Sequence, residues 1–273
     1  MQESILVYRD HLYFKVALAA VLAAIAAYVW HTPLGAPNGG TWLGYTLGVA
    51  AAGLMVWLAW FGVRKRRYGV GKLKLEDWLS AHVYLGLALA ILATLHAGFQ
   101  FGWNVHTLLY AMMMIVIVSG IVGVYFYIRF PRIVTDNRRG LTTEIMLSQL
   151  ADLDREIRQL GMTLDDATNA AVLKATQETA ISGSLVQQLR GFDPDCATSA
   201  AREFVESSES KGHDVARRQL LSRLVRKEEL LRRIRRDVQL RCLLRVWLLV
   251  HVPVSIACLV GLLVHVVTVF YYW

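Results

Sequence analysis

Four histidines in apolar stretches of the sequence form two pairs with identical spacing. His82 and His96 are fourteen residues apart, and so are His251 and His265. At about 100° per residue, fourteen helical steps end about 40° short of four full turns, so both members of a pair project from one helix face. The rise between them is about 21 Å. Because metal–nitrogen bonds are about 2 Å long, the two histidines of one helix cannot share a metal ion.

The pairs lie in stretches that are long and apolar enough to be transmembrane helices. The chain has 273 residues, of which 55% are hydrophobic, and a spanning helix needs roughly 20 mostly apolar residues. Five stretches meet this requirement, at about Leu12–Trp30, Trp42–Val63, Trp78–Phe101, Val105–Phe130 and Val246–Tyr271. The first is longer than the apolar core of a typical signal peptide, so we expect it to be a retained helix.

The distribution of positive charge predicts the orientation of these spans. The net charge is +8, and lysines and arginines concentrate in residues 64–74, 129–139 and 217–245. The connections His31–Thr41 and Gly102–Asn104 contain none. By the positive-inside rule, the N-terminus, the second loop and the polar segment before span five are cytoplasmic. The C-terminus is then external, with an aromatic anchor at residues 270–273. We expect a bacterial inner (plasma) membrane and no nucleic-acid partner.

In this topology spans three and five are parallel. His82 then lies level with His251, and His96 lies level with His265. Each level offers two imidazoles that can bind one haem iron from opposite sides. The sequence has no Cys-x-x-Cys-His motif for covalent attachment, and its three cysteines are scattered. The pattern therefore predicts two non-covalent b-type haems, with these four histidines as the iron ligands.

A histidine in a membrane helix has an alternative role in packing, and four further histidines of the chain lie outside the two pairs. Any single histidine in a membrane helix can be a packing residue, but the repeated spacing on two parallel spans favours the haem hypothesis. The other four lie at interfaces or in the polar segment, and we assign them no function: His11, His31, His106 and His213.

Glycine and arginine residues near the histidines complete the predicted haem sites. Gly86 lies one turn inward from His82, and Gly261 lies one turn inward from His265. A flat macrocycle needs helix backbone without a side chain in its way, and glycine provides it. Span four carries two further glycines that could serve this purpose, Gly120 and Gly123. Arg245 and Arg241, near the inner end of span five, could pair with haem propionates, and an arginine at this depth would also suit lipid phosphate.

The doubled His-x13-His pattern resembles the haem-binding core of cytochrome b from quinol-oxidising respiratory complexes. It is equally similar to the membrane domain of ferric reductases and NADPH oxidases. The resemblance covers spans three to five, and it implies that the four histidines are axial ligands and that the protein moves electrons across the bilayer. The sequence has no Gly-x-Gly-x-x-Gly nucleotide fingerprint and no Pro-Glu quinol-site motif, so the electron donor and acceptor stay open.

The polar segment between spans four and five has the periodicity of a helical subdomain. One helix is predicted over Leu141–Leu160, with Thr142 or Thr143 as its cap, and a second over Leu164–Ile181, with Thr163 as its cap. A third continues through the basic stretch into span five. That basic amphipathic helix either lies near anionic lipid headgroups or forms a docking surface for an acidic partner.

We therefore expect an all-α integral membrane protein, with five transmembrane helices in a bis-haem bundle and a cytoplasmic helical insertion. The predicted domains are a first transmembrane hairpin (1–63), spans three and four (64–135), the insertion (136–240) and span five (241–273). The expected function is transmembrane electron transfer as the membrane subunit of an oxidoreductase complex. Membrane lipid and an external redox subunit are the expected partners, and a cytoplasmic redox protein is a further candidate.

Three alternatives remain open at this point. A quinol dehydrogenase subunit would use quinone as a further cofactor and would need a proton acceptor, for which Glu76, Asp77 and His106 are the candidates. A haem-free transporter would use the histidines as a proton relay. A scaffold or sensor would act through its cytoplasmic helices.

Overall fold

The computed structural model describes residues 6–33, 35–66, 74–208 and 214–271. It is 83% helical and has no strand among these residues, so the predicted all-α fold is confirmed. The helices are α1 (Tyr8–Trp30), α2 (Trp42–Arg66), α3 (Leu75–Ala97), α4 (Val105–Arg138), α5 (Thr143–Gly161), α6 (Asp166–Gln177), α7 (Leu185–Arg190), α8 (Ala197–Ser207) and α9 (Asp214–Tyr271). Part of the basic second loop (67–73), His213 and the end of the aromatic tail (272–273) lie outside the described residues.

Within the described part of the chain, five helices are long and apolar enough to cross a membrane: α1, α2, α3, and the apolar parts of α4 and α9. Many of their large apolar side chains are exposed, among them Val29, Val49 and Leu249, each more than 70% exposed. Apolar surface on this scale is typical of contact with lipid rather than with water. The apolar part of α3 is 33% buried, against 17% or less for the other four, so α3 is the most enclosed of the spans.

The first compact unit, Met1–Ile128 with Trp247–Trp273, is organised around α3. Both α1 and α2 pack on this helix. The core consists of aliphatic and sulfur-containing side chains, including Leu47, Leu89, Leu92, Met113 and Cys258. At the start of α3 the fully buried Asp77 accepts a hydrogen bond from the Tyr13 hydroxyl (3.0 Å) and an ion pair from Arg9 Nε (3.0 Å). These contacts fasten the beginning of α1 to α3.

The end of α3 differs from the sequence prediction. The apolar run extends to Phe101, but the helix stops at Ala97 because Gly98 (φ 59°) and Phe99 (φ 60°) adopt left-handed backbone conformations. Gly98 also lies against the Pro37 carbonyl, where an added Cβ would be 2.1 Å from the oxygen. Glycine is therefore required at this turn by both its backbone conformation and its packing.

The second compact unit, Arg129–Val246, has its own core. In it, α6 packs on α5 and on α8. Fully buried aliphatic residues fill the centre, among them Met146, Ile157, Val172, Leu220 and Leu224. The buried Lys227 binds Asp154 Oδ1 (2.6 Å) and the Ala175 carbonyl (2.5 Å), so its charge is compensated inside the core.

The helix caps of this unit confirm one prediction and correct another. Thr142 caps α5 and accepts a hydrogen bond from the Ile145 N–H, as one of the two predicted alternatives. The prediction of Thr163 as the cap of α6 is wrong. The carboxylate of Asp165 accepts hydrogen bonds from both the N–H (3.0 Å) and the hydroxyl (2.8 Å) of Thr168, so the helix begins at Asp166. It ends at Gln177 rather than at Ile181. The predicted continuous helix into span five is confirmed as α9.

Candidate functional site

The outer pair of histidines lies at a separation that suits one metal ion. The ring centres of His96 on α3 and His265 on α9 are 6.1 Å apart, with the rings nearly perpendicular at 87°. Two metal–nitrogen bonds of about 2 Å, with each ring centre about 1 Å behind its nitrogen, give a separation of about 6 Å. The two imidazoles therefore have the spacing of axial ligands.

The inner pair consists of His82 on α3 and His251 on α9, whose imidazoles are close enough for their charges to interact. Aromatic rings cover both. Phe61 lies 4.9 Å from the His82 ring, and the Trp247 indole stacks on His251 at 5.1 Å with an interplanar angle of 26°. The structure thus brings the four histidines together as two pairs, inner with inner and outer with outer. Within each helix the levels are separated by about 21 Å.

The hydrogen bonds of His96 and His251 fix the protonation of their rings. His96 Nδ1 lies 2.8 Å from the Gly44 carbonyl, which can only accept, so Nδ1 carries the proton. His251 Nδ1 lies 2.7 Å from the Ser119 hydroxyl, whose own proton is donated to the Val116 carbonyl. The serine oxygen therefore accepts from Nδ1. In both rings the lone pair is left on Nε2, which is the atom that a metal would bind.

The other two rings have different surroundings. His265 Nδ1 lies 2.5 Å from Nδ1 of His106, and these ring centres are 4.6 Å apart. His82 Nδ1 is buried without a well-formed hydrogen bond, and the Leu58 backbone is the polar group that interacts with its imidazole. Nδ1 of His265 is thus engaged as well, so that three of the four rings direct Nδ1 toward a partner.

The predicted glycines differ in what lies beside them. A Cβ added at Gly86 would meet nothing within 4 Å, so open space adjoins this position. At Gly261 a Cβ would lie 3.2 Å from the side chain of Leu109. The space beside Gly123 is filled by the Trp247 ring, and Gly120 lies near His251, where a Cβ would be 3.8 Å from Cε1. Of the four, Gly86 best suits the predicted role of leaving room for a macrocycle.

Gly48 is a site residue that sequence analysis missed. A Cβ on Gly48 would lie 2.7 Å from Cε1 and 2.8 Å from Nδ1 of His96, so only glycine lets α2 approach this ring. Gly44, whose carbonyl holds the ring, is four residues earlier. The resulting Gly-x-x-x-Gly spacing was the available signal, since small residues four apart allow close helix packing in membranes.

Ser119 and His106 were also missed. Ser119 lies on α4 and contacts His251 on α9, and a single serine in an apolar helix gives no sequence signal. His106 had one, because it lies at the start of α4, at the end of this helix that is next to His265 of α9.

The remaining predicted residues stay outside this arrangement. Arg245 is exposed and belongs to the second unit, and its pairing with a propionate stays a prediction. His31 packs edge-on against Trp42, with ring centres 5.1 Å apart, and His11 lies in the left-handed stretch near the start of α1. Among the described residues no three His, Cys, Asp or Glu side chains form a metal-binding group. Haem iron needs only two protein ligands.

Comparisons with known proteins give no match for this chain, whether with family models, with curated proteins or with solved structures. The function is therefore inferred from the residues and their geometry alone.

Proposed function

We propose that this chain is the membrane subunit of an oxidoreductase complex and carries electrons across a bilayer through two b-type haems, one in each histidine pair. The observation that carries the proposal is the 6.1 Å separation of the His96 and His265 rings, on the two helices that also carry His82 and His251. Haem iron supplies one-electron redox chemistry, and the protein supplies ligands, orientation and a low-dielectric setting.

The contacts of the histidines support ligation through Nε2. Gly44 and Ser119 accept the Nδ1 protons of His96 and His251, which holds each ring in the tautomer that leaves Nε2 free. The open space beside Gly86 leaves room next to His82 for a planar group. The apolar side chains of the spans give the histidines surroundings of low dielectric constant.

Orientation and partners follow from the charge distribution. We propose that the N-terminus and residues 136–240 are cytoplasmic and that the C-terminus is external, in a bacterial inner membrane. The external connections carry no lysine or arginine, so a tightly bound external redox subunit suits this face better than one attracted by charge. Gentle isolation from native membranes should recover that subunit with the chain.

The absorption spectrum of the purified protein tests the proposal. Dithionite-reduced protein should show low-spin b-type bands, and pyridine haemochrome analysis should give about two non-covalent haems per chain. Protein purified from its native membrane without haem would overturn the proposal, and the haem-free transporter and the scaffold would then take its place.

Quinol oxidation at the outer level is the second candidate function. It needs a proton acceptor that quinol can reach. His106 is exposed and contacts His265, whereas Asp77 is fully buried and paired with Arg9. A short-chain quinol added to the purified protein should then reduce the outer haem without any other subunit. If only a copurifying redox protein reduces it, this second candidate fails.

A further inference from the structure

His106 contacts the outer pair although neither haem ligation nor the helix bundle requires a third histidine there. It lies in the first turn of α4, whose start is held by hydrogen bonds of Thr107: its N–H donates to Asn104 Oδ1 (2.9 Å), and its hydroxyl accepts from the Gly102 N–H (3.2 Å). The imidazole of His106 is therefore carried on a fixed turn. It meets His265 edge to face, with an angle of 86° between the rings.

The contact between His106 and His265 joins the Nδ1 atoms of the two rings, and it constrains which ring nitrogens carry protons. Nδ1 of His106 and Nδ1 of His265 lie 2.5 Å apart, so one of them donates a proton and the other accepts it. If Nε2 of His265 is the iron ligand, as the proposed function requires, then Nδ1 of His265 carries the proton. Nδ1 of His106 must accept it, and the proton of His106 is on Nε2.

We infer that His106 is a positioning residue for the outer haem, because it accepts the Nδ1–H of His265 and thereby fixes the tautomer, orientation and basicity of that ligand. This inference rests on the proposed function. A ligand imidazole that donates its second N–H to a good acceptor is a more basic ligand, which stabilises the ferric form of the iron. An imidazole nitrogen is a better hydrogen-bond acceptor than a hydroxyl oxygen, such as that of Ser119, which accepts the Nδ1 proton of His251.

The consequence is a lower reduction potential at the outer haem than His265 would produce without this acceptor. His106→Ala removes the acceptor, and we expect the ratio of ferrous to ferric outer haem at a given potential to rise about tenfold, which is a shift of about 59 mV for one electron. The inner haem should not change. In His106→Gln the side-chain oxygen can accept the same proton, so this variant should recover most of the shift.

The experiment is a potentiometric titration of the purified, haem-loaded protein, with electron paramagnetic resonance spectra of the ferric form. The outer haem is identified beforehand as the signal that His96→Ala removes. His31→Ala is the matched control, because it removes another histidine from the external end of a helix without touching His265. Only His106→Ala should shift the potential and the ferric spectrum of the outer haem.

Two outcomes would overturn the inference. One is an outer haem with unchanged potential and spectrum in His106→Ala. The other is loss of the outer haem in both His106→Ala and His106→Gln, which would make His106 a ligand or a structural necessity. Failure of the proposed function looks different, since the wild-type protein itself would then contain no haem.

Discussion

The groups that contact the histidines differ between the two levels. At the inner level, aromatic rings cover the histidines, and a serine hydroxyl holds His251. At the outer level, backbone atoms of glycines contact His96: the Gly44 carbonyl accepts its Nδ1 proton, and Gly48 lies close to its ring. His265 is held there by the exposed His106.

Identical ligands therefore need not give identical sites. At the inner level two aromatic rings and one neutral hydroxyl adjoin the histidines, whereas at the outer level an exposed imidazole contacts His265. Two haems held in this way would differ in potential, which is what directed electron flow between two sites requires.

Removal of one ligand should have the largest effect and tests whether the levels are separate. We expect His82→Ala and His251→Ala each to abolish the inner haem, and His96→Ala and His265→Ala each to abolish the outer one, because an iron with one remaining ligand is held weakly. Haem content and reduced-minus-oxidised spectra measure this. If His82→Ala removed the same haem as His265→Ala, the pairing of levels would be wrong. His31→Ala is the control and should keep both haems.

The close approach of α2 should make the outer level sensitive to a single methyl group. Gly48→Ala places a Cβ 2.7 Å from Cε1 of His96. The ring cannot yield freely, because the Gly44 carbonyl holds its Nδ1. Overpacking of this kind costs about 1–3 kcal/mol, so haem affinity at the outer level should fall roughly 5- to 150-fold. Gly53→Ala is the matched control, since nothing lies within 4 Å of a Cβ there. Equal haem titrations for the two variants would contradict the prediction.

Sequence alone was sufficient for the parts of this fold that depend on periodicity and hydropathy. Apolar runs predicted five membrane-length helices, which the structure contains among its described residues. Regular spacing selected His82, His96, His251 and His265, whose role as haem ligands stays a prediction. The end of α3 was missed because the hydropathy of residues 98–101 remains apolar while the backbone turns left-handed at Gly98.

The partners of the histidines were missed for another reason. Ser119, Gly48 and His106 act on residues 132, 48 and 159 positions away in sequence. Such contacts follow from the rotation of each helix about its axis, which hydropathy does not specify. Among these partners, only His106 and the glycines Gly44 and Gly48 could have been recognised from the sequence, by position in the first case and by their four-residue spacing in the second.

The serine at the inner level should have a smaller effect than the glycine at the outer one. Ser119→Ala removes the acceptor of the His251 Nδ1 proton. Loss of such a contact typically weakens metal binding about 10- to 100-fold, and we expect the lower end of this range because a neutral hydroxyl is a weak acceptor. Ser255→Ala is the matched control, because Ser255 Oγ contacts the backbone carbonyl of His251 (2.7 Å) rather than its ring. Haem titration and the potential of the inner haem measure the effect. Equal behaviour of the two serine variants would show that the Ser119 contact does not tune the ligand.

The smallest effect is expected at Gly120, and it sharpens the contrast with Gly48. A Cβ at Gly120 would lie 3.8 Å from Cε1 of His251, which is ordinary van der Waals contact rather than overlap. Gly120→Ala should therefore leave inner haem content within about twofold of wild type. Thermal stability should stay equal or rise slightly, because alanine is favoured over glycine in a helix interior by about 1 kcal/mol. Haem titration together with a thermal unfolding curve measures both. Loss of the inner haem in Gly120→Ala would mean that the macrocycle lies against α4 at this level, and the inner site would then depend on a bare glycine surface as the outer one does.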